Sequence, residues 1–310
     1  MLNLNSLSEV EKIHFKKPPR SYEEQLTILI ERGLIVQDHN FALSCLSNIG
    51  YYHLTPYWKV FYTNEQENMF KKDIFFNDII NLYKFDRALR RLLFHSISTL
   101  EVSFRTEFAN FLCCKYKDPF IFSKHNLFDN QDFFEKSTEK LCSEVQNSRE
   151  QFCIHYKNKY TEKIPPAWIA IELMTLGEVS KWYANLKHIS DQDGISKKFE
   201  LSGSLFKPFL YTITDIRNSC AHHARLWNKV IPHQPKLTRH SDFFSENLNR
   251  DGNKKIYNAL VYLSSCLKAI NSGITLDKEI SKLIQQFKPD TKAMGFPDDW
   301  EKLSLWNLQD

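Results

Sequence analysis

The sequence predicts an all-α fold, a helical bundle with a small N-terminal subdomain of helix-turn-helix type. Three observations carry that expectation. Glycine supplies only 8 of the 310 residues, about a third of the ~7% usual in globular proteins, which is too few for a fold built on tight turns. Apolar residues recur at helical spacing over long stretches, most clearly Leu89, Leu93, Ile97, Leu100, Phe104 and Phe108. The chain is 42% hydrophobic and carries 24 Phe, 13 Tyr and 6 Trp, enough apolar surface to bury a core and to exclude disorder over most of its length.

Residues 1–19 read as a polar lead ending in Lys16, Lys17, Pro18 and Pro19. Ser21 and Glu24 have capping-box spacing for a helix with Leu26, Leu29 and Ile30 on its apolar face, and Gly33 supplies its stop. A polar break at 37–40 leads into a second helix over about 39–49, and the pair has helix-turn-helix spacing. Residues 51–62, YYHLTPYWKVFY, are the densest aromatic stretch. They read as a hydrophobic plug in preference to a base-stacking platform, because aromatic side chains dominate ordinary cores. The polar residues 63–73 are expected as a loop or hairpin and as a boundary, dividing the chain into 1–73 and 74–310.

A long helix follows over about 77–114. At about 100° per residue, Arg87, Arg91, Ser98, Glu101 and Arg105 fall along one stripe opposite its apolar face. That stripe is either a solvated face, with Glu101 and Arg105 as an i,i+4 pair, or a phosphate-facing surface. Its three arginines stand out in a chain with 11 Arg against 30 Lys, since the guanidinium fork suits phosphate. A turn and short helix come next around Asp118-Pro119, then helix within 136–160, a break at Ile164-Pro165-Pro166, and a helix from Ala167 to His188. A loop is expected at 191–194. A helix capped by Ser202 or Ser204 should run through Trp227, followed by helices near 253–271 and 276–287 and a tail with aromatic anchors.

Several classes of protein are excluded. No window approaches the ~18 consecutive apolar residues of a membrane span, and the N-terminus has no apolar signal core. The seven cysteines form no CxxC pair, so neither a zinc ribbon nor a disulfide framework is indicated, and they read as reduced thiols in a cytoplasmic protein. A net charge of +4 means that any nucleic-acid surface must be local.

The segment 209–229, FLYTITDIRNSCAHHARLWNK, carries the chemistry. Taken as one helix, it places Phe209, Ile213, Ile216, Cys220 and Trp227 on a core face. Thr214, Arg217, Asn218, Ala221, His222 and Arg225 share the other face, where a solvated helix would more often carry Lys and Glu. Histidine moves protons near neutral pH, and arginine holds a phosphate or the charge developing on it. An Arg/His pair without metal ligands suits RNA cleavage by the ribose 2′-OH, because the substrate supplies the nucleophile. Arg-x4-His spacing alone is weak, with about 0.4 such pairs expected by chance from 11 Arg and 11 His. A second pair, Arg90 and His95, lies toward the apolar stripe. His223 reads as a structural histidine. His222, His223 and His233 do not have zinc-ligand spacing, so neither a metal nor a cofactor is expected.

The string Arg217-Asn218-Ser219-Cys220-Ala221-His222-His223-Ala224-Arg225-Leu226-Trp227-Asn228 closely resembles the signature of the Abi-like (Abi_2) proteins of bacterial abortive infection, the AbiD/AbiF group. Gly50-Tyr51-Tyr52-His53-Leu54 is similar to a second element of that family, with His53 where an Arg is usual. Phe85-Asp86-Arg87-x-Leu89-Arg90 with Glu101 and Arg105, and Gly295-Phe296-Pro297 with Trp300, resemble two more, so the likeness spans about residues 16–300. The resemblance implies a HEPN-like helical bundle whose R-N-x3-H motif forms a metal-independent endoribonuclease site. By that likeness Arg217 would stabilise the phosphate, His222 act as base or acid, Asn218 orient the imidazole or substrate, and Arg225 extend the anion site. It also implies a homodimer that completes a composite site, and a phage-defence toxin restrained by a small non-coding RNA.

The competing expectation is a non-catalytic protein that binds a structured small RNA through Arg87, Arg91, Arg105, Lys16, Lys17 and Arg20. DNA binding through residues 21–50 is the weakest reading, because that segment has few basic residues.

Overall fold

The computed structural model describes residues 14, 17–63, 67–239, 241–251 and 254–307. They form thirteen α-helices, short 3-10 turns and three isolated β-bridges, an all-α architecture. The chain divides into two compact units, Met1–Tyr83 and Lys84–Asp310. The division falls inside a helix, beyond the break expected at 73.

In the first unit, α1 (Tyr22–Glu31) starts at the expected capping box. Ser21 Oγ accepts from the Glu24 amide at 3.2 Å, and the Glu24 carboxylate accepts from the Ser21 amide at 2.6 Å. Asp38 caps α2 (His39–Ile49) by accepting from the Phe41 amide at 2.9 Å. Gly50, at φ +93°, turns the chain directly into α3 (Tyr51–Trp58), a conformation that favours glycine. The aromatic stretch is divided. Leu54, Tyr57, Trp58 and Tyr62 are buried, as a plug requires, whereas Tyr52 is 89% exposed. Tyr62 and Phe70 then pair across an antiparallel bridge.

The helix α4 (Phe76–Tyr116) is the longest in the protein, and its six periodic residues from Leu89 to Phe108 are fully buried. After it come α5 (Gln131–Asn147) and α6 (Gln151–Lys159). Residues 167–188 are not one helix. The short α7 (Ala167–Ala170) passes into a 3-10 turn, and α8 (Leu176–Ala184) restarts at Thr175, which forms its own capping box with Glu178. The expected loop at 191–194 is instead inside α9 (Ile189–Ser196). Gly194 fits there because a Cβ would meet the Phe111 ring at 2.1 Å. The buried Asp191 ties α9 to the end of α4, accepting from Tyr116 Oη at 2.7 Å and pairing with Lys115.

The chain continues through α10 (Gly203–Ala221), the short unanticipated α11 (Asp242–Asn247), α12 (Tyr257–Ala269) and α13 (Leu276–Phe287). The core of this unit centres on Phe104, whose ring packs edge-on to Phe108, Tyr183, Phe199 and Phe206. The tail is anchored as its composition suggested, with Phe296, Trp300 and Trp306 clustered on or near Tyr257. All seven cysteines are free thiols. Among the described residues, no helix is long and apolar enough to cross a membrane.

Candidate functional site

The motif 217–228 is not a continuous helix. Helix α10 ends at Ala221, and His222 is its C-cap. His223 takes the left-handed conformation at φ +56°. The His223 amide donates to the Cys220 carbonyl at 3.2 Å and the Ala224 amide to the Ser219 carbonyl at 2.9 Å, the paired bonds of a Schellman motif. Sequence periodicity missed this stop because the left-handed position is filled by His where Gly is usual. Two consequences follow. His223, read as structural, ends the helix but is exposed and not turned to the apolar side, and Trp227 is buried without being on the helix.

What fixes the segment after the stop is Asp86 of α4, a side chain with no solvent exposure. One carboxylate oxygen, Oδ1, accepts the amides of Leu226 at 3.0 Å and Trp227 at 2.6 Å, and Oδ2 pairs with Arg90. Arg90 also reaches the Ala224 carbonyl at 3.5 Å. The Arg90/His95 pair is thereby structural, since its guanidinium is committed to a buried carboxylate. Cys220 inside the motif is no nucleophile: burial pushes its thiol up to about 12, with Arg90 and Lys229 opposing and Asp86 reinforcing the shift.

Arg217 and Asn218 meet near the end of α10, and His222 follows them as its cap. Arg217 is partly exposed, Asn218 and His222 are exposed, and Arg217 Nη1 donates to Asn218 Oδ1 at 3.4 Å. The guanidinium of Arg217 lies over the exposed Phe94 ring, 6.0 Å from its centroid. Its Nε sits 3.6 Å from Glu101 Oε2, an ion pair too long for a hydrogen bond. Glu101 Oε1 accepts from Arg105 Nε at 3.2 Å and Nη2 at 2.5 Å, and Arg105 Nη1 donates to the Ile171 carbonyl at 2.5 Å.

Arg105 is therefore a correction. Expected on a solvated or phosphate-facing stripe, it is buried with Glu101, because packing against the 171–173 turn and α10 covers that end of α4. The stripe is open only toward its start, where Arg87 and Arg91 are exposed. With Lys84 and His95 they line a groove of about 790 Å³ against Glu279, Leu283 and Phe287 of α13. Arg225 is partly exposed. It lies near enough to Lys255 to add to the effect of burial in lowering that ammonium's affinity for its proton. Lys17 and Arg20 are exposed in the first unit, and Lys16 lies outside the described residues.

Sequence reasoning missed the roles of Phe94, Asp86 and Glu101. The signals available were that Phe94 sits off the Leu89–Leu93–Ile97 stripe, that Asp86 and Glu101 stand in the family-like element, and that Glu101 has i,i+4 spacing to Arg105, a pair the structure forms. A further pair, His233 Nδ1 and Asp215 Oδ2 at 2.8 Å, involves a residue about 200° around α10 from Arg217 and does not share its face. Among the described residues, no group of His, Cys, Asp and Glu could hold a metal ion.

The sequence model of one family, described as Abi-like protein (Abi_2), matches residues 44–228, more than half of the chain and inclusive of the whole motif. No curated protein and no solved structure matches. The chain belongs to the Abi-like protein family.

Proposed function

We propose that this Abi-like protein is a metal-independent endoribonuclease of the HEPN type that acts in abortive infection, a phage-defence response. The observation that carries the reading is the end of α10, where a half-buried guanidinium, an amide and an exposed imidazole occupy the last turn and cap of one helix. A guanidinium pinned by a buried carboxylate on one side is preorganised for charge on the other.

In the proposed reaction Arg217 binds the scissile phosphate. His222 removes the proton from the ribose 2′-OH, whose oxygen attacks phosphorus. The bond from phosphorus to the 5′-oxygen breaks, and that oxygen takes up a proton from water, to which the His222 imidazolium returns the one it removed. The products are a 2′,3′-cyclic phosphate and a 5′-OH, and no step needs a metal. Arg87 and Arg91, with Arg225, would bind flanking phosphates.

His222→Ala and Arg217→Ala are expected to lower cleavage of single-stranded RNA at least about 100-fold in the presence of EDTA. His222→Ala should leave the melting temperature unchanged, because its side chain is exposed. Parental cleavage rates in both variants would remove the assignment. The alternative, a passive RNA-binding protein, is favoured by the exposed Arg87 and Arg91. It predicts salt-dependent RNA binding without turnover, and growth arrest on expression that does not need His222.

A further inference from the structure

The first compact unit holds an open pocket of about 700 Å³ formed by α1, the chain just before it and the turn between α2 and α3. Among the described residues its charged lining is wholly positive, consisting of Lys17, Arg20 and Arg32 with no carboxylate. None of the three makes an ion pair with a described residue. Arg32 is held in place, because its Nη1 donates to Tyr51 Oη at 3.0 Å and the Tyr51 ring packs edge-on against Trp58 at 4.7 Å.

Two more tyrosines line the pocket in contact with solvent, Tyr22 at 47% and Tyr52 at 89% exposure. Tyr52 stands out on α3, where Tyr57 and Trp58 are buried. Gln25 in the wall donates to the Arg20 carbonyl at 3.0 Å, while its Oε1 is buried without a hydrogen-bond partner. Cations suit phosphate, and an exposed ring suits the face of a base. An acidic peptide would use the cations and leave the rings idle.

We propose that this pocket binds a nucleotide unit of single-stranded RNA, its base stacked on Tyr52 and its phosphate held by Arg20 and Arg32. It is a site additional to the Arg217–Asn218–His222 motif, and it does not depend on the nuclease reading.

The test uses the full chain with His222→Ala, so that the RNA probe stays intact. Fluorescence anisotropy measures binding of a fluorescein-labelled octa-riboadenylate, and AMP is titrated separately. Tyr52→Ala and Arg20→Ala should each weaken octamer binding about tenfold, with melting temperatures unchanged because both side chains are exposed. Arg20→Ala should also reduce the salt slope by about one phosphate's worth. If AMP binding falls in step, a single nucleotide suffices as ligand; if only the octamer responds, the ligand is a strand. Octamer and AMP affinities within twofold of the parent in both variants would overturn the proposal. So would displacement by a glutamate octapeptide as effective as AMP, with Tyr52→Ala inert. Cleavage by the chain with His222 intact is measured separately, so failure of the nuclease reading and failure of this site remain distinguishable.

Discussion

At the scale of single residues, the site depends on which side chains carry strain and which carry charge. His223 occupies a left-handed position that costs an ordinary residue about 1–2 kcal/mol, offset in part by the lower unfolded-state entropy relative to Gly. His223→Gly should therefore be neutral to about 1 kcal/mol more stable and keep full RNA cleavage, although it neighbours His222. A loss of cleavage equal to that of His222→Ala would assign the chemistry to the wrong histidine. Glu101 behaves differently. It is 8% exposed, and its carboxylate faces both Arg105 and Arg217. Glu101→Gln should cost roughly 3 kcal/mol by leaving the buried Arg105 guanidinium short of a counter-charge. It should also lower kcat more than it raises KM, because Arg217 would bind the phosphate but lose its fixed position. Restoring stability with Glu101→Asp while kcat stays low would mark the residue as positioning Arg217; equal recovery of both would make it structural only.

At the scale of elements, local capping decides where helices begin and end. The restart at Thr175 shows this most directly. The Thr175 hydroxyl accepts from the Glu178 amide, and the Glu178 carboxylate accepts from the Thr175 amide at 2.7 Å and pairs with Lys140. Burial acts to raise the Glu178 carboxyl, but the Lys140 ammonium and the Thr175 donors outweigh it and hold the group below its usual 4.5. A folded-state value below the unfolded one means that this contribution is complete above about pH 4.5 and is lost as pH falls through the folded value. Thr175→Ala should cost about 1 kcal/mol at neutral pH. Glu178→Gln should lower the melting temperature at pH 7, and the gap to the parent should close on acidification toward about pH 3. A gap that stays constant across that range would sink the argument. The Thr175-x-x-Glu178 spacing was legible in the sequence, but the apolar periodicity running through 167–188 hid it. The same continuity hid the end of α10, where no glycine marks the stop.

At the scale of the molecule, the sequence holds one R-N-x3-H motif, and the arginine of the other Arg-x4-His pair, Arg90, is committed to Asp86. If two motifs are needed, a second copy of the chain must supply the other. The active species should then sediment at twice 36.7 kDa, and its specific activity should fall on dilution below the dimer dissociation constant. Full specific activity in a species sedimenting as a monomer would remove the need for a partner. The helix class, the capping box at Ser21, the span of α4 and the residues of the motif were all determined by the sequence itself. Each rests on interactions within a few positions along the chain: 3.6-residue periodicity, a side chain reaching the next turn, a short string of chemical types. What only the tertiary structure decided is which polar groups meet water. Asp86 lies 140 residues from Leu226, and Arg105 lies 66 from Ile171. Periodicity placed Arg105 on an open face, and packing of distant segments closed that face. The same packing left Arg217 pinned but open, because burial is a property of everything that folds against a residue.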